Sequence, residues 1–196
     1  MARNVKNEER IRQIYETALN LFAKHGYRKT SVVDIANELG MVKGNLYLYA
    51  LNKQDLYEKA INNSFTGWQS RVVEAMNNVE DIVDKFRIMS IKAYDYLHQN
   101  KDLRIIIQQD PTIFTIYPKE DRFPKINKNS LEMIRNLLKQ GIEQGRFKEV
   151  DIDSTSEFLF SVYIMFIIRT YGKTEDKAAR KLFITGLDIL IDGLRK

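Results

Sequence analysis

Residues 26–61 read GYRKTSVVDIANELGMVKGNLYLYALNKQDLYEKAI. Two short apolar runs lie in this stretch, each bracketed by helix punctuation. Ser31 followed by Asp34 has the spacing of a capping box, and an acid in the first turn also suits the helix dipole. Ile35, Ala36 and Leu39 then share one face, and Gly40 closes the run. After two or three residues a second short helix is expected over Lys43–Tyr49. Asn52, with Asp55 three residues on, reads as the cap of the next helix. A longer helix before these two, and a tight glycine-containing turn between them, complete the outline of a helix-turn-helix.

Working outward, Ile11, Ile14, Tyr15, Ala18, Leu21 and Phe22 recur at spacings of three and four, one apolar stripe on a helix over roughly 7–25, which Gly26 ends. On the other side a longer helix is expected over 53–77. Ile82, Phe86, Met89, Ala93 and Leu97 mark another. Residues 110–125 hold all three prolines and read as the main irregular segment. Leu131, Ile134, Leu138 and Ile142 mark a further helix, ended near Gly141 or Gly145. Asp153 or Ser154 can cap the helix that runs to Tyr171, and the last helix follows Thr174-Glu-Asp-Lys. No alternating strand pattern is present. The expected fold is all-α, with a three-helix DNA-binding unit at 1–52 and a larger helical dimerisation and ligand-sensing domain at 53–196.

The 196 residues are 44% hydrophobic and 29% charged, ordinary values for a globular protein with a packed core. There is no cysteine, which excludes disulfides, thiolate metal sites and cysteine nucleophiles. The N-terminus lacks the apolar region of a secretory signal, and the longest apolar run (158–168) is too short to span a bilayer. A cytoplasmic protein without membrane contact is expected. The net charge is +5, with the basic excess denser in residues 1–60. That permits a polyanionic partner without requiring one.

The opening stretch resembles the DNA-binding segment of the tetracycline-repressor-like (TetR/AcrR) family. The matching features are Phe22-x-x-x-Gly26-Tyr27, Thr30-Ser31, Asp34-Ile35-Ala36, Gly40, Lys43-Gly44-Asn45-Leu46-Tyr47-x-Tyr49, Lys53 and Leu56. The later helices match only in outline. The resemblance implies a recognition helix at 43–49 seated in the major groove of operator DNA. Gly44 lets the backbone approach the duplex, and Asn45 offers a donor and an acceptor to a base edge. Tyr47 and Tyr49 carry rigid rings and hydroxyls. Lys43 and Lys53 supply charge, and Thr30 and Ser31 are placed for phosphate. Taken singly, these are also ordinary half-buried tyrosines, a helix cap and solvated lysines; their joint placement carries the reading. Two departures stand out. Val42 replaces the small hydroxyl residue that usually caps the recognition helix, and Ala50 replaces a Phe that anchors it, with Leu51 expected to refill that space.

One helix-turn-helix contacts few bases, so a homodimer reading two half-sites is expected. The helix at 154–171 is apolar on nearly every side and the last helix has a broad apolar stripe. Ile164, Ile168, Phe183, Leu187 and Leu190 are the candidate dimer contacts, in a four-helix bundle with the symmetry mate; the bland alternative is an internal core helix. A small-molecule effector is the family expectation. Trp68, Met89, Tyr94 and Phe114, with Tyr117, Tyr163 and Phe166, are its candidate pocket, although aromatics at helical spacing are also core packing. No cofactor, metal site or catalytic residue is expected: His25 and His98 fall in different helices, and there is no phosphate loop or HExxH motif. A repressor released from a palindromic operator by a lipophilic or aromatic effector is the expectation. The alternative is a regulator or architectural protein of this fold without a ligand.

Overall fold

The computed structural model describes residues 2–115, 117–171 and 177–196; the side chains of 2–6, 118 and 177 lie outside that description. Nine α-helices are described: α1 (Ala2–His25), α2 (Val32–Glu38), α3 (Lys43–Leu46), α4 (Lys53–Asn77), α5 (Ile82–Gln99), α6 (Lys101–Gln109), α7 (Pro124–Glu143), α8 (Ile152–Tyr171) and α9 (Lys177–Leu194). Among the described residues there is no strand, only an isolated antiparallel bridge between Phe147 and Arg195.

Local chemistry fixes the first third of the chain. The stripe on α1 buries Ile14, Ala18, Leu21 and Phe22 against α4 and α6. Gly26 and Gly40 both adopt positive φ, +82° and +61°, a conformation that costs glycine little. Ser31 caps α2 in a reciprocal box, accepting from Asp34 N–H while the Asp34 carboxylate accepts from Ser31 N–H. Hydrogen bonds from the Ser31 hydroxyl and from the Ser31 N–H hold the Asp34 carboxyl below its ordinary range. Asn52 caps α4, its side chain accepting from Asp55 N–H.

Four boundaries differ from expectation. The helix expected over Lys43–Tyr49 is a single turn that ends at Leu46. Its cap position, Val42, offers no side-chain hydrogen bond, and Gly44 is a poor helix former. Residues 101–109, left unassigned from sequence, form α6, capped by Asn100, which accepts from Leu103 N–H. Leu103, Ile106 and Ile107 bury its face. Its nine residues give too little periodicity to mark a helix without a partner. Finally, Pro124 does not break the chain but begins α7, since a first-turn residue needs no N–H donor. At α8 the cap is Asp151, which accepts from Ser154 N–H, two or three residues before the expected positions. The expected start of the last helix at Thr174 lies outside the described residues.

Helix α5 is the spine of the larger part, touching α4, α6, α7, α8 and α9. Phe86, Tyr94 and Leu97 are among its fully buried side chains. Behind α7, Gly141 faces Phe147 so closely that an added methyl would overlap the ring. Where α8 and α9 turn away from this core, Phe158, Met165, Ile168, Leu182 and Ile189 remain exposed.

Candidate nucleic-acid interface and internal cavity

Most side chains of the segment 43–53 are exposed. Lys43, Gly44, Asn45 and Tyr47 are exposed while Leu46 between them is buried. Leu46 is thus the nail and its neighbours the presented surface. Nothing lies within 4 Å of a side chain built at Gly44, so its bareness serves no packing inside the protein. Lys43 Nζ lies 5.7 Å from the Tyr47 ring centroid. Ser31 is also exposed, at the start of α2. Lys53 is half-buried, with Nζ 4.4 Å from the Tyr27 ring centroid and within 3.4 Å of the Arg28 carbonyl.

Two expected contacts need correction. Thr30 is buried, 2% exposed, and its hydroxyl faces the carbonyls of Gly26 (2.9 Å) and Leu21 (3.2 Å). It ties the turn to α1 and has no proton left for phosphate. Leu51 does not refill the space of the missing anchor aromatic: it is 81% exposed, and Ala50 alone is buried there.

What replaces that anchor is polar. The Tyr49 carbonyl accepts from both the Tyr15 hydroxyl of α1 (3.1 Å) and Lys59 Nζ of α4 (3.0 Å). Lys59 is paired with Asp55 at 2.9 Å, and Asp55 accepts from Leu51 N–H at 2.7 Å. Burial works to raise the Asp55 carboxyl, but the Leu51 N–H and Lys59 outweigh it and hold it below its ordinary range. The end of the recognition segment is thus tied to both flanking helices through its backbone. Sequence reading missed Tyr15 and Lys59. The Asp55/Lys59 spacing signalled an ion pair, but no local pattern pointed either residue at a carbonyl. Tyr49 itself is half-buried.

The second feature is an apolar cavity of about 130 Å³ between α4, α5, α7, α8 and α9. Of the expected pocket residues, Trp68, Met89, Phe114, Tyr163 and Phe166 line it. Tyr94 and Tyr117 do not. Tyr94 sits behind the wall, stacked on Phe183 at 4.3 Å with its hydroxyl 2.6 Å from Thr170 Oγ1; Tyr117 is 62% exposed. Three of the expected dimer residues, Ile164, Phe183 and Leu187, are instead buried within the protomer and line this cavity. Leu190 is half-buried and also lines it, and Ile168 alone is exposed. The helical period explains the error: both helices carry two apolar faces, and sequence cannot say which faces inward.

Between the two features runs a connected set of contacts. Phe114 packs on Phe65 and Trp68, and Phe123 meets Phe65 edge-on at 5.1 Å. The same segment carries Arg122, which pairs with Asp110 at 2.7 Å and with Glu58 of α4 at 3.5 Å. The Tyr57 hydroxyl donates to Asp110, and the Tyr57 ring contacts Phe22 and Tyr27. Burial works to raise the Asp110 carboxyl, but hydrogen bonds from Thr112 and Arg122, with the guanidinium charge, leave it below its ordinary range. Burial, then the nearby Asp110 charge, push the Tyr57 hydroxyl well up.

Residues 14–60 match the family model for bacterial regulatory proteins of the tetR family. The match runs from within α1 to the first turns of α4. The chain is 22% identical over 148 residues to the HTH-type transcriptional repressor KstR2 of Mycobacterium tuberculosis, covering 75% of this chain and 74% of that one. It is 24% identical over 149 residues to the fatty acid metabolism regulator protein of Bacillus subtilis, covering 76% of each. The solved structure of the regulator FadR from Bacillus subtilis in complex with stearoyl-CoA superposes with a TM-score of 0.71 at 21% identity, covering 93% of this chain and 98% of that one. The fold shared with that regulator therefore extends well past the matched segment, over 93% of this chain.

Proposed function

We propose that this chain is a ligand-responsive transcriptional repressor that leaves a palindromic operator when a small lipophilic molecule occupies the internal cavity. The observation that carries the DNA half is the exposure of Lys43, Gly44, Asn45 and Tyr47 around buried Leu46, within the family-matched residues. In this reading residues 1–52 are the DNA-binding domain and 53–196 the sensing and dimerisation domain of a cytoplasmic protein. Asn45 reads a base edge, Tyr47, Tyr49 and Gly44 lie against the groove, and Lys43, Lys53 and Ser31 meet phosphate. Leu48, 80% exposed, adds an apolar contact of the kind a thymine methyl accepts.

A second copy of the chain covers the outer faces of α8 and α9. Phe158 and Met165 on one helix, with Leu182 and Ile189 on the other, are 57%, 52%, 44% and 67% exposed, a density of large apolar groups that calls for a partner. Pairing these faces would hold two recognition segments about 34 Å apart, one helical turn of DNA.

The effector reading rests on the apolar lining and on relatives whose names concern lipid-like molecules. Occupancy would displace Phe114 and, through Asp110 and Arg122, the Tyr57 end of α4. Only a ligand that prefers one of the two arrangements can act this way. Electrophoretic mobility shift with genomic fragments tests the reading. A sequence-selective shift at physiological salt that lipophilic compounds release is the expected result. Salt-sensitive binding with no sequence preference, unaffected by any compound, would leave a non-specific binder instead.

A further inference from the structure

The chemistry of the cavity wall selects among lipophilic ligands. None of its lining residues, among those described, is charged. A carboxylate or ammonium enclosed there would lose its hydration with no counter-charge to replace it. The wall is not uniformly apolar, however. Gln69 on α4 spends its amide protons on the Ile126 carbonyl (2.7 Å) and on Ser130 Oγ (2.9 Å). Ser130, having accepted, keeps its own proton to donate. Asn127 lies three residues earlier on the same face of α7 and also lines the cavity, adding an amide. Across the cavity the polar protons are already committed, Ser90 to the Phe86 carbonyl and Tyr163 to the Ala93 carbonyl. Donors for a ligand are therefore gathered on the α4–α7 side, where Trp68 adds an indole N–H.

We propose that the cavity takes a ligand whose enclosed part is uncharged and carries a hydrogen-bond acceptor, a ketone, ester, thioester or amide carbonyl, seated at the Asn127–Ser130 corner. This deepens the effector reading and rests on it. An aliphatic or fused-ring body then fills the space between Phe65, Met89, Phe160 and Leu187. A free fatty acid enters only in its protonated form.

The test uses the full-length protein, with the fluorescence of Trp68, its single tryptophan, as the readout. The probes are 2-nonanone, methyl octanoate, octanoate and nonane. At pH 8 the ketone and ester are expected to bind at least about 100-fold more tightly than octanoate, because a carboxyl of pKa about 4–5 is almost wholly ionised there. Octanoate should gain about tenfold per pH unit on acidification while the ester does not change. Asn127→Leu and Ser130→Ala should each lower the ketone-to-nonane affinity ratio by about fivefold, the worth of one hydrogen bond. The ratio cancels any general loosening of the fold. Equal binding of octanoate and ester at pH 8 would overturn the proposal, as would an unchanged ratio in both variants. Failure of every probe to bind would overturn it too, and operator binding by the same preparation would show whether the DNA reading stands without it.

Discussion

In residues 26–53 the side chains that matter point outward, and the backbone beneath them is fixed by caps, glycines and a few polar ties. Around the cavity the side chains that matter point inward and are fixed only by one another. The head is held by short-range chemistry that a few residues can write: Ser31 with Asp34, Asn52 with Asp55, Gly26 and Gly40 at positive φ. The cavity is walled by residues as distant in sequence as Phe65 and Leu190. Local rules can be changed one at a time, whereas a packed wall responds as a whole. The two regions meet at Tyr57, Asp110 and Arg122, where long-range packing grips the first turns of α4.

The sharpest way to break this contrast is to remove the buried anchor of the head. Leu46→Ala should cost about 2–5 kcal/mol, seen as a lower urea midpoint, and should abolish operator shift before the rest of the chain unfolds. In the other region Gly141→Ala should cost about 1–3 kcal/mol through overlap with Phe147. Once folded at low temperature that variant should bind operator normally. If it bound as poorly as the Leu46 variant, the two regions would not be separable.

Smaller effects sharpen the division within the head. Asn45→Ala should lose about 1–3 kcal/mol of discrimination at one base pair, measured with a set of operator variants. Lys53→Ala should weaken binding to all sequences alike and flatten the logarithmic salt slope by about one unit. Equal salt slopes for the two proteins would move Lys53 from the phosphates to a purely internal role on Tyr27. At the junction, the folded-state pKa of Asp110 is lowered, so its contribution is present above the unfolded pKa of about 3.9. That contribution disappears as pH falls through the folded value. Asp110→Asn should therefore be less stable than the parent at pH 7 and converge with it once the pH has fallen below the parent's lowered folded value. Urea midpoints that stay parallel down to that pH would dissolve the junction as a charge-dependent contact.

Much of the head was legible because its determinants are close in sequence. The Ser31 and Asn52 caps and the turn glycines Gly26 and Gly40 could be read from a window of a few residues. Thr30 was misread for the same reason: a hydroxyl beside a helix start looks free until α1 is seen behind it. Tyr15 and Lys59 were invisible because their partner is a carbonyl, which every residue has and no sequence pattern labels.

By itself the sequence determined that the chain is helical, where most helices begin and end, and that the segment around Lys43–Tyr49 is presented outward. Those follow from side-chain and backbone preferences that act within one or two turns. Only the tertiary structure decided which apolar face of α8 and α9 is core and which is open, that Tyr94 lies behind the cavity wall rather than on it, and that ties to the Tyr49 carbonyl stand in for the aromatic anchor absent at Ala50. An amphipathic period gives the direction of a face but not its neighbour, and the neighbour exists only once the helices have packed.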